Sequence, residues 1–500
     1  MQGIKTITPK MMYQVHLDDL VPRDNFYRRL NLEFDLTFLY KATEKYYGTE
    51  GQESIDPVVF FKVCLVGYLN NINSDRKIIE YCSNSLDLRL YLQYDIDEKL
   101  PWHSTISRTR QLYGEEVFLS LFKKVLSLCV HKGMVRGKRQ AIDSAFIKAN
   151  ASMESLVDKE FIEKMEKEVF EDVEQYAEEL NEHSEYKVEG AEQGNKTKET
   201  VKPEKSVNFT RRSLTDSDAR ISVKPGKVRQ LNYSGQIAVD DAHHVITGAM
   251  ADFADKRDSQ SLPEILEQAI DNLKEENITI EQVTADTNYS SAEALHYIEE
   301  NNIDGYIPNI GGYKAEREGF IYNEEKDQYE CQKGNKAILP FRKIAKSRNS
   351  QRKIYRSTKK DCKDCPLLNV CITKSKHKVI TDSIDKPLYD KMHQKMNTPK
   401  AKHILKKRSS TVEPVLGTLI NFVNMKRVNT RGIELANKHV LMAALTYNLK
   451  KYMKFTKFTP KKAEAMIISI NRQIGAISNE IFALKSVFGG LNLKKAVYNT

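Results

Sequence analysis

The chain has 500 residues, of which 40% are apolar and 29% charged, so it can build real cores over two to four domains. Seven cysteines in that length exclude a disulfide framework; the most apolar run, residues 58–69, is too short to span a bilayer and contains Lys62; no signal-peptide pattern opens the chain. The formal charge of +10 is unevenly placed: residues 331–410 hold 23 Lys and Arg against 5 Asp and Glu, which leaves the remainder mildly acidic. A basic block of that kind suits a polyanion, although a solvated Lys-rich surface would look the same. No membrane association is expected, and a reducing compartment, the cytoplasm, is.

Residues 1–135 read as an all-helical N-terminal domain. Asp56 is placed to cap a helix over 57–69 with Pro57 at its first position. Asn73 or Ser74 caps a second over 75–84, and Ser104 a third that carries Arg108 and Arg110. Short capped helices with exposed arginines resemble a helix-turn-helix module, in which such side chains reach DNA, but any small helical bundle has this pattern. Trp102 is expected to be a core anchor. Cys64, Cys82 and Cys129, in apolar helical runs, are expected to be buried thiols. Residues 139–149 predict a strand carrying Asp143 among Ala141, Ile142, Ala145, Phe146 and Ile147. A carboxylate in such company needs a hydrogen-bond partner or a metal ion.

The spacing of Phe161, Met165, Val169, Val173, Tyr176 and Leu180 predicts an amphipathic helix over 153–181 with an acidic outer face, followed by a polar loop over 186–210. Residues 224–227 read as a turn. Residues 233–240 and 245–254 predict a hairpin, 258–273 a helix capped by Asp258 or Ser259, 278–290 a strand ending at Asp286, 291–302 a helix and 304–309 a strand. That order is an α/β layer with a mixed sheet. Asp286 stands at the carboxyl end of its strand, where ligand sites in such sheets lie, although a helix-capping role fits as well. Helices are predicted over 411–426 and 433–453, and an amphipathic Lys-rich tail over 461–500. Glu413, before Pro414, is expected at or beside the N-cap of the first of these. Cap or turn roles are expected for His103, His243 and His244.

Three carboxylates of this kind could hold two divalent ions, and oxygen ligands favour Mg²⁺ (or Mn²⁺). Cys362, Cys365 and Cys371 form C-x₂-C-x₅-C, with Cys331 upstream, and could complete a tetrahedral Zn²⁺ site; His377 is an alternative ligand and a cluster of free thiols the plain one. Arg342, Lys343, Arg352, Lys353 and Arg356 around them would contact DNA phosphates.

The segments AIDSAFIKANAS (141–152), VTADTNYSS (283–291) and the stretch from Thr411 to Tyr452 resemble the catalytic segments of bacterial insertion-sequence transposases of the DDE type. Residues 56–112 resemble the N-terminal domain of the same proteins. The resemblance implies a ribonuclease-H-like mixed sheet with flanking helices and a basic Cys-containing insertion between the last strand and the Glu-bearing helix. It divides the chain into 1–135, a core of 136–310 and 406–455 interrupted by 153–216 and by the insertion 311–405, and a tail, 456–500. It implies Asp143, Asp286 and Glu413 as catalytic metal ligands, double-stranded DNA as substrate and a homodimer on paired transposon ends. Many relatives place a Tyr and an Arg before the Glu and a Lys two turns after it. Here Arg408 precedes Glu413 and Ile420 occupies the Lys position, so Arg408, Lys426, Arg427 and Arg431 are the substitute DNA contacts. Glu434 is a fallback third carboxylate. The expected activity is cleavage and transfer of DNA strands. The alternatives are a metal-dependent nuclease without strand transfer and an inactive DNA-binding derivative.

Overall fold

In the computed structural model, Asp56 caps helix α1 (Pro57–Leu69), its Oδ1 accepting the backbone N–H groups of Val58 and Val59 at 2.6 and 3.1 Å. The structure describes residues 16–456, apart from 49, 51–53, 161–206, 223–227, 312, 335, 348–349, 364 and 373–376. The chain divides into two units, Met1–Leu449 and Lys450–Thr500, and every candidate site residue lies in the first. The expected acidic helix beyond residue 160, most of the following polar loop, the 224–227 turn and the tail lie outside the described residues.

Helix α1 is apolar on all sides, and Phe60, Phe61, Val63, Leu65 and Val66 are fully buried, as befits a central helix. Around it stand α2 (Asp75–Ser83), α3 (His103–Leu112) and α4 (Glu115–His131). Cys64, Cys82 and Cys129 are buried thiols, as the sequence predicts. Two expectations fail here. Helix α3 starts at His103, so Ser104 lies inside it and Trp102 takes the N-cap position. Trp102 is then outside the helix's apolar face and 69% exposed; Phe60, Phe61, Phe118 and Tyr113 anchor the core instead.

The main sheet begins with β1 (Arg139–Lys148). Residues 153–155 form a single 3-10 turn leading into β2 (Leu156–Asp158), not the start of a long helix, and β2 pairs with β3 (Arg211–Ser213). Strands β4 (Arg220–Ser222), β5 (Gln230–Asp240) and β6 (Ile246–Phe253) follow, then helix α5 (Asp258–Lys274), β7 (Gln282–Thr284), α6 (Ala292–Glu300) and β8 (Asp304–Tyr306). The predicted hairpin is β5–β6. Arg257, not Asp258, takes the N-cap position of α5. Across the sheet the order is β4–β5–β1–β7–β8, with β6 also on β5. Strands β1, β7 and β8 run parallel and β5 antiparallel to β1. Strand β5 is buried along almost its whole length, because helices cover both faces of the sheet.

After β8 comes a second, antiparallel sheet: β9 (Phe320–Asn323), β10 (Gln328–Cys331), β11 (Ile338–Ser347), β12 (Ser350–Arg356) and β13 (Val379–Ser383), in the order β13–β12–β11–β10–β9. Helix α7 (Lys386–Met396) leads to α8 (Pro399–Phe422), which packs on β1, and α9 (Ile433–Phe455) closes the described chain. Helix α8 starts 14 residues before Glu413, so Glu413 sits in mid-helix and not at its N-cap.

The N-terminal helices are clasped to the C-terminal part by a buried histidine. His439 of α9 accepts the Tyr68 hydroxyl proton at Nδ1 (2.7 Å) and donates from Nε2 to the Asn424 carbonyl (3.0 Å). The Asn424 amide in turn donates to the carbonyls of Gly67 and Ile72. Burial pulls the His439 pKa down to about 4 from 6.5. The neutral ring therefore contributes stability that is present above pH 6.5 and lost as pH falls towards 4. That loss is on the order of 3 kcal/mol. His439→Gln, which cannot titrate, should remove this part of the acid sensitivity, seen as a smaller fall in urea-denaturation stability than in the parent chain between about pH 7 and 4.5.

Candidate active site

Asp143 sits in the middle of β1, the central strand, opposite Ile237 of β5. On its other side β7 runs parallel, with Ala141 level with Thr284. Continuing that register by two residues sets Asp143 level with Asp286, just past the end of β7. Adjacent strands lie about 4.8 Å apart, so the two carboxylates share one locality. Asp286 also caps the 3-10 turn Thr287–Tyr289, its Oδ1 accepting from the backbone N–H of Asn288 at 2.9 Å. The capping and ligand-site readings of Asp286 thus meet in one residue.

The Asp143 side chain is 18% exposed and ion-paired to Arg408 of α8, Nη2 to Oδ2 at 2.9 Å. Its Oδ1 accepts from the backbone N–H of Ser144. Burial nevertheless pushes its pKa up; the Arg408 charge opposes that rise, and the carboxylates of Asp286 and Asp258 add to it. Asp258, first residue of α5, is a carboxylate the sequence reading treated only as a helix cap. Its Oδ1 accepts from Ser144 Oγ at 2.8 Å and from Gln236 Nε2 at 3.0 Å. Gln236 Oε1 accepts from the buried Tyr289 hydroxyl at 2.5 Å. This chain of bonds ties β1, β5, α5 and the Asp286 turn together. The Tyr289 hydroxyl is pushed well above its usual range by burial, then by Asp258, Asp143 and Asp286.

Glu413 is not drawn into this group. It is exposed on α8, whereas Arg408, Thr411, Val412 and Val415 form that helix's buried face. Glu434 is committed elsewhere, to the fully buried ammonium of Lys438 at 2.7 Å. Among the described residues no three His, Cys, Asp or Glu side chains are gathered closely enough to hold a metal ion.

The arginines and lysines expected on DNA divide. Arg108, Arg342, Lys343, Arg352, Arg356, Lys426, Arg427 and Arg431 are exposed. Arg110 is not available: both of its terminal nitrogens pair with Asp75, at 2.7 and 2.9 Å, inside the helical domain. Arg408 is turned inward onto Asp143, and Lys353 is paired with Asp327 at 3.0 Å. A groove of about 980 Å³, lined by apolar as well as polar and basic side chains, lies along the end of β1; Phe146, Ile420, Lys148, Asn232, Lys426 and Arg427 are among them.

Two stretches of the chain match known families. Residues 15–112 match the profile described as a transposase domain (DUF772), and residues 330–453 match that described as a transposase DDE domain. Both stretches are thus similar to transposases, the second to those of the DDE type, and they support that family for the chain. The second match contains Arg408 and Glu413, while Asp143 and Asp286 lie between the two. No curated protein matches the chain. No helix among the described residues is long and apolar enough to cross a membrane.

The Asp143–Arg408 pair carries a stability consequence. Arg408→Ala strands a buried carboxylate and should cost about 3 kcal/mol at neutral pH. The raised pKa makes that cost fade on acidification, as Asp143 takes up a proton, leaving only lost packing below its ordinary value of 3.8. Chemical denaturation across that range checks it, and Asp143→Asn combined with Arg408→Ala should show no such pH dependence.

Proposed function

We propose that this transposase cleaves and joins DNA at the ends of an insertion sequence, with Asp143, Asp286 and Glu413 as its catalytic carboxylates. The observation that carries the reading is the placement of Asp143 on the central strand, level with Asp286 at the end of the neighbouring parallel strand. The sheet order, with β5 and β6 antiparallel on one side of β1 and β7 and β8 parallel on the other, supports a ribonuclease-H-like core. Glu413 is assigned by its place in the matched DDE stretch. The exposed basic residues and the groove beside β1 supply the DNA surface, and two copies of the chain would hold the paired ends.

The donor set suits Mg²⁺ or Mn²⁺: the groups are hard carboxylate oxygens, and burial raises the Asp143 pKa despite the Arg408 guanidinium beside it. Asp143 and Asp286 would hold such ions, with Glu413, which stands apart from them in this structure, as the proposed third ligand; the ions would supply charge stabilisation at phosphorus and a more acidic water. Asp143 and Asp286 are set by their strands, and the Ser144–Asp258–Gln236–Tyr289 bonds hold those strands and the Asp286 turn in register. Arg408 balances Asp143 from the helix that also bears Glu413. In the reaction, water attacks the phosphodiester at the transposon end and frees a 3′ hydroxyl. That hydroxyl then displaces an oxygen from a target phosphate, forming one P–O bond as another breaks.

With labelled transposon-end DNA, Asp143→Asn should lose divalent-cation-dependent cleavage by at least about a hundredfold while still binding the DNA. Pre-cleaved ends should give joined products with the parent chain. Cleavage without joining would mark a nuclease, and cleavage retained in Asp143→Asn would remove Asp143 from the site.

A further inference from the structure

We propose that Cys331, Cys362, Cys365 and Cys371 bind one structural Zn²⁺ that staples the basic second sheet. The four residues come from two segments: Cys331 ends β10, while Cys362 and Cys371 end the short helices Lys359–Cys362 and Leu368–Cys371, with Cys365 between them. All four line a single cavity of about 320 Å³, and all four are free thiols. Four sulfur donors, two of them in C-x₂-C spacing, are the ligand set of a closed tetrahedral zinc site.

The packing shows that the two segments are built to meet. The turn after Cys331 contains Gly334 at φ +71°, and a Cβ added there would stand 2.5 Å from the sulfur of Cys365. The glycine thus admits both the left-handed turn and the close approach of the thiol. The Cys362 sulfur lies 3.2 Å from the Ser357 hydroxyl, which can donate to a thiolate. Lys333, Lys378, Glu318 and Asp361 line the same cavity; Lys333 pairs with Glu318 at 3.3 Å, and Lys378 Nζ donates to the Cys371 carbonyl at 2.9 Å, fixing the end of that Cys-bearing helix. As they stand, the thiols ring the cavity without meeting at a point. Binding therefore draws them together, and the energy of the Zn–S bonds becomes folding energy of the sheet.

That sheet needs it. Its core consists of Tyr329, Ala337, Leu339, Tyr355, Cys362 and Ile380, with Phe320, Tyr322, Leu368 and Ile372 packed beside them. Strands β11 and β12 run on into Lys- and Arg-rich stretches where Phe341 and Ile344 are 38% and 46% exposed. Among the described residues six buried apolar side chains are few for five strands, and small cores of this kind are commonly supplemented by metals.

The test uses the full-length protein purified without chelator. Mass spectrometry of the metal content should find one zinc per chain. The Cys362→Ser, Cys365→Ser double variant should lose it, together with thermal stability, whereas Cys82→Ser, at a buried thiol far from the cavity, should keep it. Cobalt substituted for zinc should give the intense thiolate-to-metal absorption and tetrahedral d–d bands of a four-sulfur site. If the double variant does not fold, mercurial titration of the parent chain, releasing zinc as four thiols react, serves instead. A zinc-free parent chain, zinc retained in the folded double variant, or cobalt bands without thiolate character would overturn the proposal. None of these readouts depends on the DNA chemistry.

Discussion

A carboxylate in the centre of a buried strand is the constraint that organises this molecule. The Asp143 side chain is only 18% exposed, and burial prevails over the Arg408 charge beside it. Each neighbouring element therefore answers to that charge. Helix α8 turns Arg408 inward, against the habit of a surface arginine, and leaves its Nε buried without a partner. The Ser144 backbone amide takes one carboxylate oxygen, and the Ser144 hydroxyl anchors a second carboxylate, Asp258, on the opposite side of the strand. A core built only for stability would place leucine here, because buried ion pairs rarely outperform apolar packing. The proposed place of Asp143 in the catalytic centre gives that cost a reason.

The helical domain is bound to the rest by polar groups with specific partners and not by an apolar face alone. Asn71 and Asn73, in the turn between α1 and α2, reach Asn424, the Asn421 carbonyl and the Arg427 carbonyl. Asn421 lies in the last turn of α8, and Asn424 and Arg427 follow it. The segment that carries Arg408 and Glu413 is thus held at one end by the domain expected to grip DNA, and it borders the groove beside β1. Amide clasps have strict geometry, which keeps the two regions in one relative placement.

Much of the fold was legible because its signals are local. Asp56 with Pro57, the β5–β6 hairpin, and the alternation around Asp143 each need only a few neighbouring residues to be understood. What escaped depended on distance along the chain. Asp258 looks like a cap because its partners Ser144 and Gln236 are 114 and 22 residues away. Arg110 looks like a DNA contact until Asp75, 35 residues earlier, is seen to hold it. Pro414 suggested a helix start, yet it lies inside a 24-residue helix, on an exposed face where its missing N–H and its bend are tolerated. The strands of the second sheet were hidden for another reason. Part of β11 faces water on both sides, so it has no apolar alternation to read.

The long span between Asp143 and Arg408 also sets a schedule for biosynthesis. Strand β1 is translated some 265 residues before the arginine that balances it. At about 5–20 residues per second, that is an interval of roughly 13–50 s during which the first half of the sheet has no native counter-charge. Its parallel neighbour β7 and its antiparallel neighbour β5 emerge earlier and can align, but the buried carboxylate lacks its counter-ion until α8 leaves the ribosome. An incomplete chain therefore cannot present a finished centre, and the competence to act arrives only with the last third of the polypeptide.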